Sequence, residues 1–182
     1  MEIGSVNFSG EEVTNNALGS AIYTRGNLDL VNCRFTGFVT SGLFGGAINT
    51  GGLLRMVRCD FVGNQGGNGG GIYTIGGTTE IHTRNFIGNI ATTSGGAIHA
   101  NGTATVNVLH STFSGNEARA LTPGQGGGAI YANLGTFAFG QCTFYHDMAY
   151  SRGGAIFTNF SATLSQCTVT ENNAGYGGAA GL

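Results

Sequence analysis

Apolar residues along this chain fall in short alternating runs. Leu28-Asp29-Leu30, Arg55-Met56, Glu80-Ile81, Asn107-Val108, Ala138-Phe139 and Thr163-Leu164 each set an apolar side chain beside a smaller or polar one, and glycine separates the runs. Runs of a few residues with a period of two read as β-strands, since a helix needs a longer stretch with a period near 3.6. The runs recur with a tetrapeptide, Gly-Gly-Ala-Ile, at Gly45 to Ile48, Gly95 to Ile98, Gly127 to Ile130 and Gly153 to Ile156. Degenerate copies sit at Gly19 to Ile22, Gly69 to Ile72 and Gly177 to Ala180. The isoleucines are separated by 26, 24, 26, 32 and 26 residues, and Ala180 follows 24 residues later. A second motif, Phe-x-Gly-Asn, keeps step at Phe61 to Asn64, Phe86 to Asn89 and Phe113 to Asn116, with weaker copies starting at Phe8, Phe35, Phe144 and Val169.

Two motifs locked in phase define one structural unit, too small to bury an apolar face alone, so the units must stack. The expected fold is all-β: a right-handed parallel β-helix, or solenoid, of about seven coils with a period of about 26 residues. It forms a single domain over residues 1–182 with no obvious caps. Stacking lines equivalent residues into columns about 4.8 Å apart. Ile22, Ile48, Ile72, Ile98, Ile130 and Ile156 are expected to form one core column. Phe35, Phe61, Phe86, Phe113 and Phe144, with Phe8 and Val169, form a second, and Leu30, Met56, Ile81, Val108, Phe139 and Leu164 a third. Their neighbours Asp29, Arg55, Glu80, Asn107, Ala138 and Thr163 form an outer column, in which charges of alternating sign set the register. Asn64, Asn89, Asn116 and Asn172 predict an amide ladder at the corner after each phenylalanine, with Phe38 and Asp147 as interruptions and Glu11 in its first coil.

Composition narrows the function. Thirty-five glycines with a single proline, Pro123, and no Gly-X-Y period exclude collagen. The seven basic residues are all arginine and scattered, so no basic stripe faces phosphates and nucleic acid is not an expected partner. No run approaches the roughly 20 apolar residues of a membrane span, and the first residues lack a signal-peptide pattern, so direct membrane insertion is not expected.

The paired Gly-Gly-Ala-Ile and Phe-x-x-Asn motifs resemble the repeats of chlamydial-type polymorphic outer membrane proteins, over nearly the whole chain. The resemblance implies a surface-displayed passenger β-helix with adhesive function, carried on an autotransporter whose C-terminal barrel sits in the outer membrane.

Cys33 and Cys59 share a column, as do Cys142 and Cys167. In-register parallel neighbours aim their Cβ atoms the same way, which strains a bridge, so buried free thiols are expected. Without a CxxC pair or a histidine at ligand spacing, no metal and no cofactor are expected. Arg84 falls in the same column, where a local bulge should turn it outward.

The residues after the core isoleucines, Tyr23, Tyr73, His99, Tyr131 and Phe157, with Asn49 among them, point outward by alternation and form a candidate binding stripe for sugar rings or a host-cell protein. The expected function is a non-catalytic extracellular or cell-surface protein that works by adhesion or by end-to-end self-assembly into fibres. One alternative is a carbohydrate-active enzyme, a polysaccharide lyase or hydrolase, for which the nearest cluster is His146 and Asp147 with Glu171 and Asn172 one coil later; a solvated turn also accounts for these residues. A second alternative is an ice-binding face built on Thr24, Thr50, Thr74 and Thr158, with Ala100 and Ala132 completing the column, although alternation turns it inward or to a corner. The longer interval carries an insertion, Glu117 to Gly126, that either bears contacts or is tolerated loop variation. The uncapped ends suggest either a piece of a longer solenoid or a subunit that stacks head to tail.

Overall fold

The computed structural model describes residues 1–9, 12–13, 21–82, 84–176 and 180–181. Glu11, Gly19 and Ser20 of the first repeat and Gly177 to Ala179 of the last lie outside the described residues. The chain winds as a parallel β-helix, and every strand pairing among the described residues is parallel. There is no helix among them, so none is long and apolar enough to cross a membrane.

Each coil contributes strands to three sheets. Two sheets have seven strands, one built on the phenylalanines and the other on the short segments that follow the asparagine corner. A third, twelve-stranded sheet carries two successive strands per coil: an isoleucine strand, such as Ile48–Thr50, then a leucine strand, such as Leu54–Val57. In the middle of the rod these two strands fuse into single long strands, Ile98–Leu109 and Ile130–Gly140.

The columns follow the sequence register. Ile22, Ile48, Ile72, Ile98, Ile130 and Ile156 pair in order, and all six are buried. Phe8, Phe35, Phe61, Phe86, Phe113 and Phe144 pair likewise. Their rings stack nearly parallel with centroids 4.7, 4.8, 5.0, 4.8 and 4.8 Å apart, one strand spacing per step. Leu30, Met56, Ile81, Val108 and Phe139 complete the core, and Leu164 ends that column partly exposed. In the outer column Arg55 Nε donates to Glu80 Oε2 at 2.9 Å, with the arginine side chain largely in solvent, where water and salt screen the pair.

The two motifs have distinct backbone reasons. The first glycine of Gly-Gly-Ala-Ile is left-handed at Gly95, with φ +66°, and the second packs coil against coil, so that a Cβ on Gly96 would collide with the Gly128 carbonyl oxygen. The corner after each phenylalanine strand is also left-handed: Gly37, Gly63, Gly88 and Gly115 supply it in four coils, and His146 and Glu171, both at φ 54°, in the next two.

Candidate functional site

The isoleucine strands do carry an aromatic column, but it is not a surface stripe. Tyr23 is 45% exposed, whereas Asn49, Tyr73, His99, Tyr131 and Phe157 are all buried. Alternation turns these side chains away from the core, and the loops returning from the seven-stranded sheet that follows the asparagine corner then fold over them. The Phe44 ring meets Tyr73 edge-on at 5.0 Å. The Ser94 carbonyl oxygen lies 3.3 Å from His99 Nδ1, an arrangement that suits a neutral ring protonated on Nδ1. The insertion loop covers Tyr131, whose hydroxyl donates to the Gly124 carbonyl at 3.4 Å. Beneath these loops Tyr73, His99, Tyr131 and Phe157 stack in sequence at 5.2, 4.5 and 5.6 Å, as a second, outer core. Burial lowers the His99 pKa to about 4. The expected binding stripe is therefore corrected to a packing column, with Tyr23 alone open to solvent.

The threonine column is also turned away from solvent. Thr50, Thr74 and Thr158 are buried with Ala100 and Ala132, and the Thr50 and Thr158 hydroxyls accept from the backbone N–H two residues on. An ice-binding surface on these residues has no exposed threonine ladder to act through.

The asparagine ladder is continuous through four rungs and into a fifth. Asn64, Asn89 and Asn116 are fully buried. Asn89 Oδ1 accepts from the N–H and Nδ2 of Asn64 at 3.1 and 2.9 Å, and Asn89 Nδ2 donates to Phe61 O and Asn116 Oδ1, both at 3.0 Å. Asp147, expected to interrupt the ladder, is a rung: its Oδ1 accepts from Asn116 N–H and Nδ2 at 2.8 and 2.9 Å, and its own N–H donates to Asn172 Oδ1 at 2.8 Å. Phe38 ends the ladder on the other side, its N–H donating to Asn64 Oδ1. Asp147 is 0% exposed, so it is neither part of a solvated turn nor able to touch a polymer as a catalytic acid. Outside the corner, His146 Nε2 meets Glu171 Oε2 at 2.5 Å.

The four cysteines are thiols not joined in disulfides, and each lies within reach of backbone carbonyls along its column, as Cys142 does of Val108 and Gly140. Burial raises the Cys59 and Cys142 pKa values to about 11, which keeps both protonated. Arg84 is exposed, and its own N–H donates to Cys59 O at 3.2 Å, whereas in the neighbouring coils the residue one place later donates, as Asp60 N–H does to Cys33 O and Thr112 N–H to Arg84 O; the hydrogen bonding is thus displaced by one residue where a local bulge was expected. Among the described residues no group of three His, Cys, Asp or Glu side chains is placed to hold a metal ion.

A groove of about 450 Å³ lies on the outer face of the leucine strands. It arises from a change of side-chain size along two outward columns. Glu80 and His82 give way through Asn107 and Leu109 to Ala138 and Gly140, and Thr163 and Ser165 close the far side. Leu109 leans across the floor, where a Cβ on Gly140 would come within 2.6 Å of its Cδ2. The result is an apolar floor with carboxylate, imidazole, amide and hydroxyl groups around it. The sequence signal was present as the outer column that falls from Glu80 to Ala138, but read alone it indicated only a register-setting face.

The chain matches no curated protein and no solved structure. Residues 85–101 and 110–133 match the Chlamydia polymorphic membrane protein repeat, and these segments hold the Phe-x-Gly-Asn corners at Asn89 and Asn116 and the isoleucine strands beginning at Ile98 and Ile130. These two central coils of the parallel β-helix are thus similar to the Chlamydia polymorphic membrane protein repeat.

Proposed function

We propose that this is a non-catalytic, extracellular, surface-displayed β-helical protein that works by adhesion, and that the groove between Glu80 and Ser165 is its contact face. The match of its central coils to the polymorphic membrane protein repeat carries the reading. The groove supports it: a rigid floor of Ala138, Gly140 and Leu109 flanked by neutral and singly charged polar groups suits a glycan or a narrow protein segment, which need apolar contact with a few oriented hydrogen bonds. Glycan arrays and host-cell binding test it. Ala138→Arg and Thr163→Arg fill the groove from outward positions without touching the core, and both should abolish binding. Unchanged binding by these variants removes the groove from the reading, and no binding by the unaltered protein removes adhesion.

A further inference from the structure

The ladder changes its chemistry at one atom. In the other rungs Nδ2 donates to the phenylalanine carbonyl one coil back: Asn64 to Phe35, Asn89 to Phe61, Asn116 to Phe86 and Asn172 to Phe144. Asn64, Asn89 and Asn116 also donate from Nδ2 to the Oδ1 of the next rung. At Asp147 the Oδ1 bonds to Asn116 fix the carboxyl in the same orientation, which leaves Oδ2 in the place of Nδ2. By the ladder's repeat, the groups it meets there are the Phe113 carbonyl and Asn172 Oδ1, and both are acceptors. Asp147 Oδ2 is the one buried side-chain nitrogen or oxygen among the described residues without a hydrogen-bond partner.

An ionised carboxylate in that position sets lone pairs against lone pairs. A neutral acid carries one proton on Oδ2, becomes a donor, and restores the bond that an asparagine would make. We propose that Asp147 is a pH-sensitive rung, complete as the neutral acid, whose ionisation breaks the ladder and loosens the coil beyond it.

The surroundings leave the proton as the variable that decides. Tyr145, His146, Tyr150 and Arg152 on its own coil, Glu117 and Arg119 on the coil before, and Glu171 and Tyr176 on the coil after are exposed or half-buried. Glu117 bonds to Arg119, His146 pairs with Glu171, and no bond from any of these side chains to the Asp147 carboxyl is found among the described residues. Burial, the largest influence on the carboxyl, outweighs the opposing Asn116 bonds and the smaller opposing pull of the Tyr145 backbone N–H, and raises its pKa to about 7.

The sign follows from linkage. An aspartate whose folded pKa lies above its unfolded value contributes stability that is full below the unfolded value of 3.8 and is lost as pH rises toward about 7. The test compares the 182-residue protein with Asp147→Asn, which converts the rung to the residue found at the others and so should fold. Melting temperatures measured from pH 4.5 to 8.5 should show the variant more stable at pH 8.5, with the gap closing toward pH 4.5. After correction for the base-catalysed intrinsic rate, hydrogen exchange at the Asn172 corner should lose protection with rising pH in the unaltered protein only. Infrared spectra of the unaltered protein should show a protonated carboxyl band at pH 5.5 that Asp147→Asn removes. A melting difference that does not change with pH, or a carboxyl already ionised at pH 5.5, overturns the proposal.

Discussion

Asn89→Ala tests whether the corner ladder holds the coils together or merely decorates them. Asn89 is fully buried and its side chain serves three coils. Truncation leaves the Phe61 carbonyl, the Asn64 N–H and one Asn64 Nδ2 proton without their partners, formerly at 3.0, 3.1 and 2.9 Å. Asn116 Oδ1 keeps the Asn89 N–H, at 3.0 Å, and loses only its second donor. A buried polar group stripped of its partner costs about 1–3 kcal/mol, so three such groups sum to about 3–9 kcal/mol. A water in the vacated space would satisfy some of them, which brings the expectation to about 3–6 kcal/mol. Total stabilities of domains run at about 5–15 kcal/mol, so the variant should be close to unfolding. Urea denaturation followed by far-ultraviolet circular dichroism measures the change. A loss below about 1 kcal/mol would mean that the corner is open to water and that the ladder bonds exchange freely with solvent.

The remaining predictions concern other columns. Phe86→Ala removes a ring stacked at 5.0 and 4.8 Å between Phe61 and Phe113 and should cost about 3–5 kcal/mol in thermal or urea unfolding. Gly96→Ala should prevent native stacking because its Cβ collides with Gly128 O, whereas Gly63→Ala, left-handed but with open space around it, should cost only about 1–2 kcal/mol; circular dichroism and melting temperature separate the two. His99, with its pKa lowered from 6.5 to about 4, contributes stability that is present above pH 6.5 and is lost as pH falls through 4, to the extent of about 3 kcal/mol; His99→Phe should remove that decline. This slope opposes that of Asp147 over the same range, so a nearly level pH profile in the unaltered protein should resolve into two opposite slopes when the variants are compared.

Strand order and the core columns could be read from the sequence because a solenoid writes its third dimension as a period. Once Ile22 to Ile156 are aligned, pairing and burial follow from the spacing. Coverage was not legible in the same way. Alternation correctly turns Tyr73, His99 and Tyr131 away from the core, but it says nothing of the loops around Phe44, Ser94 and Gly124 that close over them. Asp147 looked like a break because its residue type differs, yet the corner selects for shape and for one acceptor oxygen, and aspartate supplies both. The groove was hidden for another reason: it is defined by side chains that shrink from Glu80 to Ala138 and from His82 to Gly140, and a missing volume becomes a feature only when its neighbours are placed.

The left-handed corner after the phenylalanine strand gives the rod a mechanical polarity. Glycine takes that backbone without steric cost in the coils of Gly37, Gly63, Gly88 and Gly115, while His146 and Glu171 each take it at about 1–2 kcal/mol. Asp147 follows the first of them and Asn172 the second. A pull along the axis should therefore open the coils of His146 and Glu171 before the Phe35 to Phe113 segment, so that the rod extends in steps while its glycine-cornered coils stay wound.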